Sequence, residues 1–289
     1  MKLYTFFVPA DAQAGRLLGY VRRMLPELPE FAVREAFEKR DVKVNGTRVG
    51  RDARIVPGAE IKVYAREIAA RPLIKTLYLD ENVMVVVKPA GVSCERDAKG
   101  GKTITGLALE ALLASEPGAL EPVLCHRLDN QTDGLLLLAR NAAAQEALET
   151  AFRKRQVHKE YTCVVRGTPT PAHCVLRAYL RKDAQHARVR ILPHEERGAQ
   201  TIVTEYTVLE AGECARLAVT LHTGRTHQIR AHMAFIGHPL LGDDQYGDRA
   251  FNKAHRAKRL MLSATGLSFA LEGKLNYLNQ KTFTVQPEF

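Results

Sequence analysis

The chain has 289 residues, 46% of them apolar, enough for one large domain or two unequal ones with real cores. Lys and Arg exceed Asp and Glu by 42 to 32, a net of +10, which suits a polyanionic partner, nucleic acid before membrane. The five cysteines are scattered and never form a C-x-x-C pair, and no carboxylate or cysteine cluster completes the histidines, which argues against a disulfide framework and against a metal site. At the start, "MKLYTFFVPADAQ" has an apolar core of only a few residues, too short for a signal peptide. The longest later apolar run, Gly134 to Ala139, cannot span a bilayer. A cytoplasmic protein with no membrane partner is expected.

Next come "GRLLGYVRRMLP" (15–26) and "PEFAVREAFEKR" (29–40), both with apolar residues at helical spacing; Pro29 suits a helix start. "DVKVNGTRVG" predicts a hairpin turning at Asn45-Gly46, and "AEIKVYA" (59–65) a further strand. Residues 1–70 carry 13 basic against 9 acidic side chains, a net of +4, with Arg16, Arg22, Arg23, Arg34 and Arg40 on or beside the helices. The V-x-V-N-G-x-x-V hairpin and the Pro57-Gly58 turn resemble the small αL-type RNA-binding domain first recognised in a ribosomal protein. This predicts a two-helix-plus-hairpin RNA-binding domain over 1–66, then a linker over 67–75 marked by Pro72.

Beyond the linker, "LYLDENVMVVVKPAGVSC" (77–94) reads as a strand, a turn and a second strand whose unbroken valines predict burial on both faces. "TITGLALEALLAS" (103–115) predicts a helix capped by Thr103, and "NAAAQEALETAFRKRQV" (141–157) another capped by Asn141. "KEYTCVVRG" and "TEYTVLEAGECARLAVTLHTG" are strand-rich. "RAHMAFIGHP" predicts a helix ending at Gly237, and the stretch from Arg259 to Phe289 two strands. The fold class is α+β: a mixed, largely antiparallel sheet with flanking helices over 76–289.

Between the two capped helices lies "HRLDNQTDGLLLLAR" (126–140), where charged residues abut a run of leucines that must be buried. With "VVVKPAGVSC", "KEYTCVV", "HTGRTHQIRAHMAFIGHPLLGDDQYG" and "FTVQPEF", in that order, it resembles the RluA family of RNA pseudouridine synthases over nearly all of 75–289. The resemblance implies a cofactor-free isomerase that breaks the glycosidic bond of a uridine, turns the uracil and rejoins it through carbon 5. Its essential aspartate falls on Asp129, the arginine facing it on Arg230 and its active-site tyrosine on Tyr161. The chemistry agrees: the reaction needs an ionised carboxylate, and a permanently charged guanidinium keeps an enclosed one ionised.

Arg127 matches an arginine that fills the gap left by the flipped nucleotide. Arg225, His227 and Gln228 are expected to hold backbone or phosphates, and Thr132 the turn after Asp129; for His227 and His232 a buried structural role is an equal expectation. One position departs from the family: Asp133 stands where Ser or Thr is usual, and is expected to disturb Asp129 unless a cation such as Arg225 neutralises it. Basic runs at 152–159 and 249–259 flank the proposed site and suit phosphate tracking. The expected partner is structured RNA, ribosomal before transfer, bound by a monomer. A non-catalytic RNA-binding or assembly protein is the alternative, favoured only by Asp133; a nucleoside-bond hydrolase lacks a partner acid.

Overall fold

A strand that the sequence reading passes over opens the chain. Lys2–Phe7 (β1) lies antiparallel to Glu60–Ala65 and adds a fourth strand to the small sheet expected near the N-terminus. In this computed structural model the described residues are 2–25, 28, 30–65, 74–95, 103–183 and 188–289, divided between two compact units, Met1–Pro72 and Leu73–Phe289. The first unit continues with Leu17–Met24 (α1), Glu30–Glu38 (α2), Val42–Val44 (β2), Thr47–Val49 (β3) and Glu60–Ala65 (β4). Asn45 and Gly46 both have positive φ, 48° and 84°, as a two-residue hairpin turn requires. Leu17, Val21, Val33 and Phe37 from the helices pack with Val42, Ile61 and Val63 from the sheet in one core.

Residues 67–73 of the expected linker lie outside the described residues. Ile74 is already core, and Lys75 opens Lys75–Leu79 (β5), so the second unit begins ahead of residue 76. There follow Val83–Lys88 (β6), Ile104–Leu113 (α3), Val123–Leu124 (β7), Asp133–Ala139 (β8), Ala142–Arg153 (α4) and Val157–Arg166 (β9). His173–Asp183 (β10), Arg188–Leu192 (β11), Gln200–Glu210 (β12), Cys214–Leu221 (β13), Gln228–Phe235 (α5) and Arg249–Ala254 (α6) come next. Leu262–Phe269 (β14) and Phe283–Thr284 (β15) close the unit, with a 3-10 helix between them. The strands form one sheet in the order β11-β10-β12-β13-β9-β14-β8-β6-β5, antiparallel except where β14 runs parallel to β8. Sequence reading gave no account of β10, β11, α6 or the 3-10 helix. Helix α5 starts two residues earlier than expected.

Caps form where the residue types ask for them. The Thr103 hydroxyl accepts from Gly106 N at 3.1 Å, and Asn141 Oδ1 from Ala144 N at 2.8 Å. The four leucines of β8 divide between two cores. Leu136 and Leu138 pack on the face carrying Ile104, Ala108 and Leu112 of α3, whereas Leu135 and Leu137 meet Ala144, Leu148 and Ala151 of α4. A strand buried on both faces needs an unbroken apolar run, and this one has it. At its start, Gly134 (φ 108°) allows β8 to press against β14: a Cβ there would lie 2.2 Å from the Ala264 carbonyl oxygen.

Candidate active site

Asp129 sits in the tight turn just before β8, where Thr132 N donates to its carbonyl at 3.1 Å. That turn is tied down from below. Lys88, wholly buried at the end of β6, donates to the carbonyls of Asn130, Pro89 and Val92 at 2.8–3.0 Å. Gly91 N also donates to Asn130 O at 2.8 Å, and Asn130 Nδ2 to Ser93 Oγ at 2.7 Å. Burial lowers the Lys88 ammonium to about 8 against the opposing pull of Cys94, Asp133 and Asp129. A cation enclosed under the turn thus fixes the backbone that presents Asp129. Sequence reasoning missed Lys88, for which the signal is a lysine ending the valine run of "VVVKPAGVSC".

Around the carboxylate opens a cavity of about 730 Å³, within the range that encloses one nucleoside-sized ligand. Its walls bring together Arg127, Asp129, Thr132, Tyr161, Arg225, His227, Gln228 and Arg230 from segments a hundred residues apart. Arg153, Arg155, His158 and Lys159 line it too, so part of the expected basic run at 152–159 does face the site.

Arg230, on the first turns of α5, is 6% exposed. Its Nη1 points at Asp129 Oδ2, 3.4 Å away, a long contact. The stronger grip is elsewhere. Asp243 takes Nε at 2.8 Å and Nη2 at 2.9 Å, a two-pronged pair that leaves Nη1 for Asp129. Asp243 also accepts from the backbone N–H of Gln245 and Tyr246. Burial pushes the Asp243 carboxyl up, but Arg230 outweighs it and holds the group below the usual carboxylate range. Tyr246 places its ring 5.2 Å from the Arg230 guanidinium carbon. Asp243 and Tyr246 stand in the quoted "GDDQYG", yet sequence reasoning assigned them nothing.

Tyr161, central in β9, is 5% exposed and forms part of the cavity wall. Burial, reinforced by the charge of Asp129, pushes its phenol well above the ordinary tyrosine value, so it stays protonated at neutral pH. Arg127 is exposed and held by Glu95 at 2.9 and 3.0 Å. Arg225 is exposed on the cavity rim.

Two expectations change, the role of Gln228 and the partner of Asp133. Gln228, expected on phosphates, is buried with both ends of its amide engaged: Oε1 accepts from Thr223 and Arg225 N, and Nε2 donates to Val203 O and Thr204 Oγ1. Nothing remains for a ligand. Thr132 holds the turn through its backbone, while its buried hydroxyl has no partner among the described residues. Asp133 is met by Arg259 Nη1 at 2.6 Å, not by Arg225. His232 takes the structural option, buried against Thr204 Oγ1 at 3.0 Å. His227 is different: its Nε2 lies 3.9 Å from Asp129 Oδ2.

Comparison with known proteins places the chain in a family. Residues 82–235 match a family described as RNA pseudouridylate synthase. The chain is 31% identical over 283 residues to a Vibrio cholerae protein named ribosomal large subunit pseudouridine synthase C, covering 91% of this chain and 87% of the relative. The Escherichia coli (strain K12) protein of that name is 30% identical over 286 residues, covering 92% and 88%. Among solved structures, human RNA pseudouridylate synthase domain containing 4 superposes with a TM-score of 0.60 at 25% identity, over 73% of this chain and 88% of that one.

Proposed function

Because this chain belongs to the RNA pseudouridylate synthase family, we propose that it converts uridines of large-subunit ribosomal RNA into pseudouridine, with Asp129 carrying the chemistry. The observation that supports this most is the asymmetry of the Asp129 carboxylate. Oδ2 faces Arg230 and His227, whereas Oδ1 has no hydrogen-bond partner among the described residues and is available to the ribose.

A flipped uridine entering the cavity would bring its sugar to that oxygen and its base against Tyr161. Flipping costs a few kcal/mol in lost stacking, which Arg127 on the rim is suited to offset by filling the vacated space. Asp129 then acts on the sugar as nucleophile or base, and the bond from uracil nitrogen 1 to the ribose breaks. The uracil turns and carbon 5 bonds to the ribose as Asp129 is released in its starting form; the proton on carbon 5 leaves to solvent and nitrogen 1 takes one up. Atoms and electrons balance without an outside redox partner or group donor. Tyr161, as a neutral phenol, supplies a flat wall and a hydroxyl near the turned base, not a standing phenolate. Arg225, Arg153, Arg155 and Lys159 would hold the phosphates entering the cleft.

The N-terminal unit is proposed to add phosphate contacts through its net charge and helix-borne arginines. Changing Arg23 and Arg40 to Gln should lower the slope of log affinity against log salt by about two. An unchanged slope would remove that unit from the RNA interface.

The decisive assay is tritium release from RNA bearing carbon-5-tritiated uridine, run beside a binding titration. Wild type should release tritium, while Asp129→Asn should bind RNA nearly as well and release it orders of magnitude more slowly. Release by the Asn variant at the wild-type rate would remove Asp129 from the chemistry. No release by wild type from ribosomal RNA would sink the substrate assignment. Asp133, the one feature that had favoured a non-catalytic protein, loses that weight through its pairing with Arg259.

A further inference from the structure

His227 holds a backbone conformation that few residues other than glycine adopt. Its φ of 54° and ψ of 20° are left-handed, in the residue just before α5, where Gly or Asn sits at lower cost. The side chain therefore needs a reason to be histidine, and its surroundings supply one. Nδ1 lies 3.0 Å from the Tyr246 hydroxyl, and that hydroxyl also lies 2.9 Å from Val189 N. An amide N–H can only donate, so Tyr246 Oη accepts from Val189. The phenol's single proton then goes to His227 Nδ1. The opposite assignment would leave that proton with no acceptor among the described residues. With Nδ1 accepting, a neutral imidazole carries its proton on Nε2. Nε2 is the atom that faces Asp129 Oδ2, at 3.9 Å.

Two donors thus converge on one carboxylate oxygen: Arg230 Nη1 at 3.4 Å and His227 Nε2 at 3.9 Å. Both contacts are longer than a formed hydrogen bond, as is common where a site tightens only around its substrate. We propose that His227 is a positioning residue for Asp129. Its Nε2–H tautomer is fixed by Tyr246, and with Arg230 it takes hold of Oδ2 so that Oδ1 is the oxygen turned to the ribose. This reading rests on the proposal that Asp129 is the catalyst, and it replaces the expectation that His227 holds phosphate. The charged groups around the imidazole are Asp129, Asp243, Arg230 and Arg127; Arg188 lies over the Tyr246 ring. Burial, with Arg230 and Arg127, lowers the imidazole further than the two carboxylates raise it, which keeps it neutral at neutral pH.

Two substitutions separate this role from a backbone one. Asn suits the left-handed conformation better than Gln, but its amide nitrogen stops near the position of Nδ1, whereas that of Gln reaches the position of Nε2. A donor role puts His227→Gln within about tenfold of the wild-type single-turnover rate and His227→Asn about a hundredfold below it. A backbone role puts Asn at or above Gln. Thermal melts of the two variants keep folding apart from chemistry. Nitrogen-15 spectra of histidine-labelled protein read the tautomer without any turnover: Nε2 protonated in wild type, and a mixed population in Tyr246→Phe. Asn matching or exceeding Gln, or an Nδ1-protonated wild type, overturns the proposal. A wild type that releases no tritium overturns the functional assignment instead, and the spectra still decide the tautomer.

Discussion

Two arginines line one cavity, each gripped mainly by one carboxylate, and burial makes them different devices. Arg230 and Asp243 have side chains 7% and 0% exposed; Arg127 and Glu95 have 60% and 62%. The inner pair is two-pronged and shielded from solvent, so it acts as a fixed part that aims Nη1 at Asp129. The outer pair is screened by water and contributes about 0–1 kcal/mol. On the role proposed for Arg127, it opens when RNA arrives. The same chemical pairing serves rigidity in one place and readiness in the other.

Cutting the inner pair should have the largest effect. Asp243→Ala leaves a buried guanidinium without its main partner, a loss of roughly 3–5 kcal/mol in urea denaturation. Tritium release should collapse with it, since Nη1 loses its aim. Acid does the same work more gently. The Asp243 carboxyl is depressed in the folded protein, so its contribution is present above about pH 4 and is lost as pH falls below that.

Arg259 and Asp133 stand between the extremes, with side chains 27% and 12% exposed. Asp133→Ser should cost roughly 1 kcal/mol and leave the acidic limb of the pH–rate profile in place. Arg259→Gln removes a cation and leaves Asp133 unmatched, so that limb should move to higher pH. A limb that moves for the Ser variant and not for the Gln variant would assign the neutralising charge to another group. Smallest of all should be Glu95→Gln: no more than about 1 kcal/mol in stability, with unchanged single-turnover chemistry. A loss as large as that of the Asp243 variant would erase the distinction between the pairs.

What could be read from the chain follows the same division. Asp129, Tyr161 and Arg230 could be singled out because five short segments stand together in the family's order, and the leucines of β8 because two-sided burial demands continuity. Asp243 was not, since "GDDQYG" reads locally as an acidic turn. Only folding shows that its first aspartate is buried against α5 while Asp244 stays in water. Gln228 failed in the opposite way: one residue from His227 in a polar motif, it turns inward and satisfies Thr223, Arg225, Val203 and Thr204. The strands β1 and β10 alternate as strands should, but β1 was weighed only as a possible leader and β10 fell between recognised motifs. Pairing partners far along the chain, not local pattern, make them part of sheets.

Strand β14 stands between β9 and β8 and pairs with both, and among the described residues no other strand joins those two half-sheets. Asp129 belongs to one half, Tyr161 to the other. β14 is therefore the seam of the site: through it the turn that presents Asp129 and the strand that presents Tyr161 belong to one hydrogen-bonded sheet.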